Sequence, residues 1–249
     1  MLKFCLFSFI TLLISVSQIL AADDAVKILP LGDSITQGGN NYASYRRSLW
    51  FKLQNQGYDI DFIGSQSSFV GDVDEALKDF DLDHQGHWAQ EAGWLDDNLD
   101  VWLINYTPDI VLLHAGTNDF YRGQSNSSTI DELDSIINNK FRAKNANVVI
   151  LLAKIIPMKN TDTFSFNQFI ESLAISKSTA DSPVILVDQY TGYNPQTDNH
   201  DNWHPNTTGE EKMASRWFAA LQPFLEITPD PDNTAASQLT PIMQNLLFD

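Results

Sequence analysis

Five short apolar runs alternate with segments of helical periodicity, and this alternation constrains the fold more than any other feature of the chain. The runs fall at 26–31, 59–63, 109–115, 147–152 and 183–187. Each is short enough for a strand and apolar enough to be covered on both faces. Between them, Tyr45, Leu49 and Leu53 recur at helical spacing before Gly57, and Trp94, Leu95, Leu99, Trp102 and Leu103 share one face of 91–105. Ser128 is placed to cap a helix over 128–143, a further helix spans 164–178, and Met213, Trp217, Leu221 and Phe224 mark a last one over 208–224. Strands alternating with helices predict an α/β fold with a mainly parallel five-stranded sheet between two helical layers, a three-layer α/β/α sandwich. The stretch 65–83, polar and acidic, reads as loop.

In such sheets ligands bind beyond the carboxyl ends of the strands. Three polar segments reach that edge. Gly32-Asp33-Ser34 follows the first run, Gly116-Thr117-Asn118-Asp119 the third, and Asp201-Asn202-Trp203-His204 the last. A serine hydroxyl needs a base within hydrogen-bond reach, and the base needs an orienting partner. His204 suits the base and Asp201 its partner, so Ser34, His204 and Asp201 form a candidate catalytic triad. An oxyanion would need donors; the backbone N–H of Ser34, a second backbone N–H and the Asn118 amide are candidates. A base must be neutral, so activity is expected to fall in acid.

Composition narrows the setting. Met1-Leu2-Lys3, the apolar run 4–20 and Ala21-Ala22 read as a signal peptide over 1–22. The run is short for a membrane anchor, which needs about 20 residues, and Ile19 or Leu20 is bulky for the position before the cut. The single cysteine, Cys5, lies in this leader, so the mature domain, 23–226, is expected to have neither disulfide nor thiol chemistry. A tail, 227–249, begins with a turn-rich stretch around Pro229 and Pro231 and carries an apolar patch at 241–248. The net charge of −17 disfavours nucleic acid and anionic lipid as partners. A secreted, extracellular monomer acting on a neutral small ester or polysaccharide, with no cofactor and no stable membrane association, is the expected class. Asn105, Asn126 and Asn206 stand in Asn-x-Ser/Thr patterns.

The segments Gly32-Asp33-Ser34-Ile35-Thr36-Gln37-Gly38, Gly116-Thr117-Asn118-Asp119 and Asp201-Asn202-Trp203-His204-Pro205-Asn206 resemble blocks I, III and V of the SGNH (GDSL-type) hydrolases. The resemblance runs from Val26 to about Phe224. It implies a flavodoxin-like three-layer fold, Ser34, Asp201 and His204 as triad and Asn118 in the oxyanion hole. It differs from the Gly-x-Ser-x-Gly elbow of α/β-hydrolases. Ile28-Leu29-Pro30-Leu31 before the serine motif, Tyr45-Arg46, the stretch from Asp59 to Ser65, and Asp83-His84-Gln85-Gly86-His87 are similar to carbohydrate esterase family 3. That likeness implies an acetyl xylan esterase-like enzyme removing O-acetyl groups from plant cell-wall polysaccharide. In register, Ala89 stands where that family has a glycine whose N–H serves the oxyanion. Its Cβ disfavours left-handed backbone angles, so the loop tolerates Ala89, or the register shifts, or activity is reduced.

The other histidines and tryptophans divide by setting. His114, within an apolar run, reads as core; His84 and His87 lack a third ligand at useful spacing for zinc. His200 competes with His204 as base, but the Asp-x-x-His spacing favours His204. Trp94 reads as core, whereas Asp33, His87, Trp88 and Trp203 are expected to line the substrate cleft. A lipid esterase, lysophospholipase or thioesterase is the alternative on the same chemistry. A non-catalytic carbohydrate binder, suggested by Ala89, is the alternative outside it.

Overall fold

A computed structural model describes residues 25–40 and 42–227. The leader 1–22 and all of the tail after Ile227 lie outside the described residues; Ile227 itself forms an antiparallel bridge with Tyr58.

The chain runs β1 (Val26–Gly32), α1 (Ser34–Gln37), α2 (Ser44–Gln54), β2 (Ile60–Phe62), β3 (Gln85–Gly86), α3 (Ala92–Trp102), β4 (Ile110–His114), α4 (Thr117–Arg122), α5 (Asn126–Ser135), α6 (Arg142–Lys144), β5 (Val149–Ala153), α7 (Phe164–Lys177), β6 (Val184–Val187), α8 (Pro195–Asp198) and α9 (Thr207–Leu221). Five strands lie in the order β2-β1-β4-β5-β6, every pairing parallel. Alternate residues feed opposite layers. Leu29, Leu31, Val111, Leu113, Ile150 and Leu152 pack under α3, α5 and α7, while Ile28, Ile110, Leu112, Leu151 and Ala153 pack under α2 and α9. Both faces are therefore apolar, which is why the strands read as unbroken runs. Trp217, fully buried on α9, is the largest side chain of the second layer. Burial of such side chains contributes about 1.5–3 kcal/mol each.

The sheet has six strands where the sequence suggests five. β3 pairs with β1 at Leu31↔Gln85 and Gly32↔Gly86, above the point where β2 leaves β1 at Ile28↔Phe62. Two residues carry no periodicity, and Gln85, though buried, is polar; its Oε1 accepts from Ser65 N and Oγ. The segment before β3 is loop with one 3₁₀ turn, Glu75–Leu77. Arg46, fully buried, pins it by donating to Thr36 O, Gln37 O and Leu82 O at 2.8–2.9 Å.

Two further expectations change. Ser125, not Ser128, caps α5: its Oγ accepts from the Ser128 amide, and the helix continues through a π segment, Ile136–Phe141. Trp94 is 36% exposed rather than core. His114 is fully buried in β4. No helix among the described residues is long and apolar enough to cross a membrane.

Candidate active site

The carboxyl end of β1 delivers Ser34 through a tight turn. At Gly32 a Cβ would collide with His114 O on the neighbouring strand, so β1 and β4 approach this closely only because residue 32 is glycine. Asp33 then caps α1, its Oδ1 accepting from Ile35 N at 2.9 Å. Ser34 becomes the first residue of α1, where backbone amides have no partner within the helix. Asp33 is buried. Burial raises its carboxyl, opposed by the charges of His114 and His204 and by the Ile35 amide.

His204 arrives from the far side of the sheet, on the loop between α8 and α9. Its Nε2 lies 2.9 Å from Ser34 Oγ and its Nδ1 2.7 Å from Asp201 Oδ2. Asp201 Oδ1 accepts from the backbone amides of Trp203 and His204 at 2.8 and 2.7 Å, which folds the loop around the carboxylate. Burial pulls the Asp201 carboxyl upward, but these three hydrogen bonds outweigh it and hold the group below its ordinary range. Aromatic rings surround the imidazole. Trp88 stacks on it, Tyr42 lies tilted against it at 5.7 Å, and Trp203 meets it edge-on. His200 is a parallel neighbour at 5.8 Å with Nδ1 3.9 Å from Asp201 Oδ2. Burial lowers the His200 imidazole; Asp201 opposes this, while His204 and Lys159 add to it.

The turn after β3 lies opposite. Ala89 sits at φ +60°, in the left-handed region. The loop holds the alanine Cβ in this conformation at a backbone cost of about 1–2 kcal/mol. Four tethers hold the turn. Trp88 N donates to Gln37 Oε1 at 2.7 Å, Asn118 Nδ2 to Gln90 O at 2.9 Å and Arg122 to Ala89 O at 2.9 Å, and Arg122 also pairs with Glu91 at 3.0 Å. No acceptor among the described residues takes the Ala89 N–H. Asn118 stands in the first turn of α4, behind Gly116 at φ +110°, where a Cβ would press on the Phe166 ring. Asn118 Nδ2 donates to Gln90 O at 2.9 Å and makes a longer contact with Asp33 Oδ2 at 3.5 Å, the weaker of the two and the one a ligand would displace.

These parts enclose a cleft of about 260 Å³ lined by Ser34, Ile35, Trp88, Ala89, Thr117, Asn118, Tyr121, Arg122, Trp203 and His204. Of the residues expected to line it, Trp88 and Trp203 do. Asp33 and His87 are not among its walls. Asp33 is turned under α1, and His87 stacks flat on Trp102 at 4.5 Å, with burial pushing its imidazole down to about 4. The sequence reading missed Tyr121 and Arg122. Their positions three and four residues after Asn118, on one short helix, are the signal that could have found them.

A family model for the GDSL-like Lipase/Acylhydrolase family matches residues 31–212, most of the chain. The chain belongs to this family. The match starts before Ser34 and ends after His204, so this acylhydrolase keeps both halves of the cleft within the matched span. A family 3 carbohydrate esterase from Talaromyces cellulolyticus is 30% identical, with a TM-score of 0.69 over 80% of this chain and 97% of that one. A Clostridium thermocellum family 3 carbohydrate esterase is 28% identical, with a TM-score of 0.68 over 81% and 97%. A multidomain esterase of Ruminococcus flavefaciens is 28% identical over 256 residues, 93% of this chain but 33% of its own length, so the acylhydrolase spans about a third of that relative. The chain shares its parallel sheet flanked by helices with the two solved family 3 carbohydrate esterases.

Proposed function

We propose that this enzyme removes acetyl or similarly short acyl groups from carbohydrate, with acetylated plant cell-wall polysaccharide such as xylan as its substrate class, and that it works outside the cell after loss of residues 1–22. The observation that carries the reading is the continuous chain of contacts from Asp201 through His204 to Ser34, 2.7 and 2.9 Å long. Ser34 Oγ attacks the ester carbonyl carbon while His204 Nε2 takes its proton. Asp201 keeps the other imidazole proton on Nδ1 and favours the imidazolium that forms. The oxyanion is met by the amides of Ser34 and Ala89 and by Asn118 Nδ2. Collapse expels the sugar alcohol, protonated by Nε2, and leaves an acyl-Ser34. Water activated by His204 then releases the acid.

The carbohydrate substrate is supported by the likeness to family 3 carbohydrate esterases, the cleft's aromatic walls and its small volume, below the ~300–1,000 Å³ of most ligand pockets. The test is acetate release from acetylated xylan, with nitrophenyl esters of increasing chain length in parallel. Wild type should release acetate and prefer acetate and propionate esters, and Ser34→Ala should lose about 10⁴-fold or more. Comparable rates from both proteins would remove Ser34 as nucleophile. A preference for chains beyond butyrate would favour a lipid esterase or thioesterase, and fluorophosphonate-resistant Ser34 in folded protein a non-catalytic binder.

A further inference from the structure

We infer that His200, Asp201 and His204 form a transition-metal site, and that a divalent cation of the Zn²⁺ type bound there switches hydrolysis off. The effect on activity rests on His204 being the base; the binding rests on ligand geometry alone.

Among the described residues these three are the one group of histidine, cysteine and acidic side chains whose ligand atoms all lie within 4.8 Å of one another. Asp201 Oδ2 stands between the two imidazoles, 3.9 Å from His200 Nδ1 and 2.7 Å from His204 Nδ1. Two imidazoles and a carboxylate, with water as a fourth ligand, are a donor set for tetrahedral Zn²⁺. Bonds of about 2.0–2.1 Å place tetrahedral ligands roughly 3.4 Å apart. His200 must therefore close on Asp201 by about half an ångström, the Asp201–His204 contact must open by roughly 0.7 Å, and the two imidazole nitrogens, within 4.8 Å of each other, must approach by up to about 1.4 Å. The backbone already holds positions 200 and 204 side by side, through His200 N donating to His204 O at 3.1 Å and the Asn199↔Pro205 bridge. Access is from solvent, since the side chains of His200 and Asp201 are 37% and 39% exposed. Lys159 opposes a cation here, while the net charge of −17 favours one. Nothing in the hydrolytic chain from Asp201 to Ser34 uses His200, so the mechanism leaves its placement unexplained.

The consequence is a change of tautomer. The metal takes the lone pair of His204 Nδ1, and the proton held there passes through solvent to Nε2. The imidazole stays neutral, but Nε2 now carries hydrogen and cannot accept the Ser34 proton.

The experiment uses chelator-stripped full-length protein, ZnCl₂ as probe, and three chains: wild type, His200→Asn and Ser34→Ala. Calorimetry should give one Zn²⁺ per wild-type chain, with nitrophenyl acetate hydrolysis falling over the same concentrations and returning with EDTA. Ser34→Ala, which keeps all three ligands, should bind as wild type. His200→Asn should keep its zinc-free rate and bind about tenfold more weakly or worse, with inhibition shifted equally. Inhibition of His200→Asn at wild-type concentrations, or no stoichiometric binding by wild type, would overturn the site. Binding that depends on His200 without loss of hydrolysis would leave the site standing and remove His204 from the reaction.

Discussion

The indole of Trp88 stacks on the His204 imidazole, ring centres 4.8 Å apart and planes 23° from parallel. An aromatic face attracts a cation, by about 0.5–2 kcal/mol depending on exposure. On the proposed mechanism the His204 imidazole gains positive charge as it takes the Ser34 proton, so this contact would favour the transition state. Trp88→Ala should lower kcat about 3- to 30-fold, with a smaller effect in Trp88→Phe, because the Trp88 amide keeps its bond to Gln37 in both. Steady-state kinetics on nitrophenyl acetate decide the matter. A change confined to KM would make Trp88 a substrate wall and nothing more.

Asp201→Asn tests the other side of the imidazole. Asparagine Oδ1 can still accept from the Trp203 and His204 amides, so the loop should keep its shape. Its NH₂ would face Nδ1 and move the imidazole proton to Nε2. The same exchange in a serine protease triad costs about 10⁴ in kcat, and a loss of that order is expected here. A variant within tenfold of wild type would show that His204 does not depend on Asp201.

Ala89→Gly should stabilise the fold. Glycine relieves a left-handed alanine by about 1–2 kcal/mol and loses about 0.4–1 kcal/mol to the freer unfolded chain. The net gain should be up to about 1.6 kcal/mol in unfolding free energy from denaturant titration, with hydrolysis equal or faster. Ala89→Val, branched at the same φ of +60°, should destabilise and slow the enzyme. A glycine variant less stable than wild type would mean that the strain is relieved elsewhere.

Stability should fall as pH rises through the weakly acidic range. Burial pushes the Glu210 carboxyl up to about 7, against the Ser44 amide, Arg47 and Arg46, and burial takes Asp119 to about 7 as well. Between the ordinary values of 4.5 and 3.8 and about 7, the folded protein holds protons that the unfolded chain has released. The stability these groups contribute is therefore present below about pH 4, declines towards pH 7 and is flat above. Glu210→Gln should match wild type near pH 4 and exceed it near pH 8 by roughly 3 kcal/mol at most, or about 5–10 °C in Tm. Thermal melts from pH 4 to 8 on both proteins check this. Parallel curves would show that Glu210 is ionised in the fold.

The layered fold was legible because both faces of the sheet are covered. Leu112 and Leu113 serve opposite layers, so β4 is apolar without a break, and the same holds for β5. The candidate site was legible where chemistry demands particular side chains, at Ser34, Asn118 and His204 in the cleft wall and at Asp201 behind His204. It was not legible where a side chain had two apolar destinations. His87 and Trp88 are adjacent, yet one turns to Trp102 and the other to His204. Nor does composition disclose that Gln85-Gly86 is a strand, since backbone pairing to β1 is all that makes it one.

Gly32 is level with Gly86 on one side and His114 on the other. The nucleophile and the two remaining oxyanion candidates therefore leave the sheet from a single transverse row, within four residues of it. His204, with Asp201 and Trp203, comes from a separate anchorage, the loop between α8 and α9. The two groups are thus carried by separate segments that meet at Ser34 and Trp88. On the proposed division of roles, rebuilding 199–205 would keep the Ser34, Ala89 and Asn118 donors on the sheet edge while replacing the base and the Trp203 wall of the cleft.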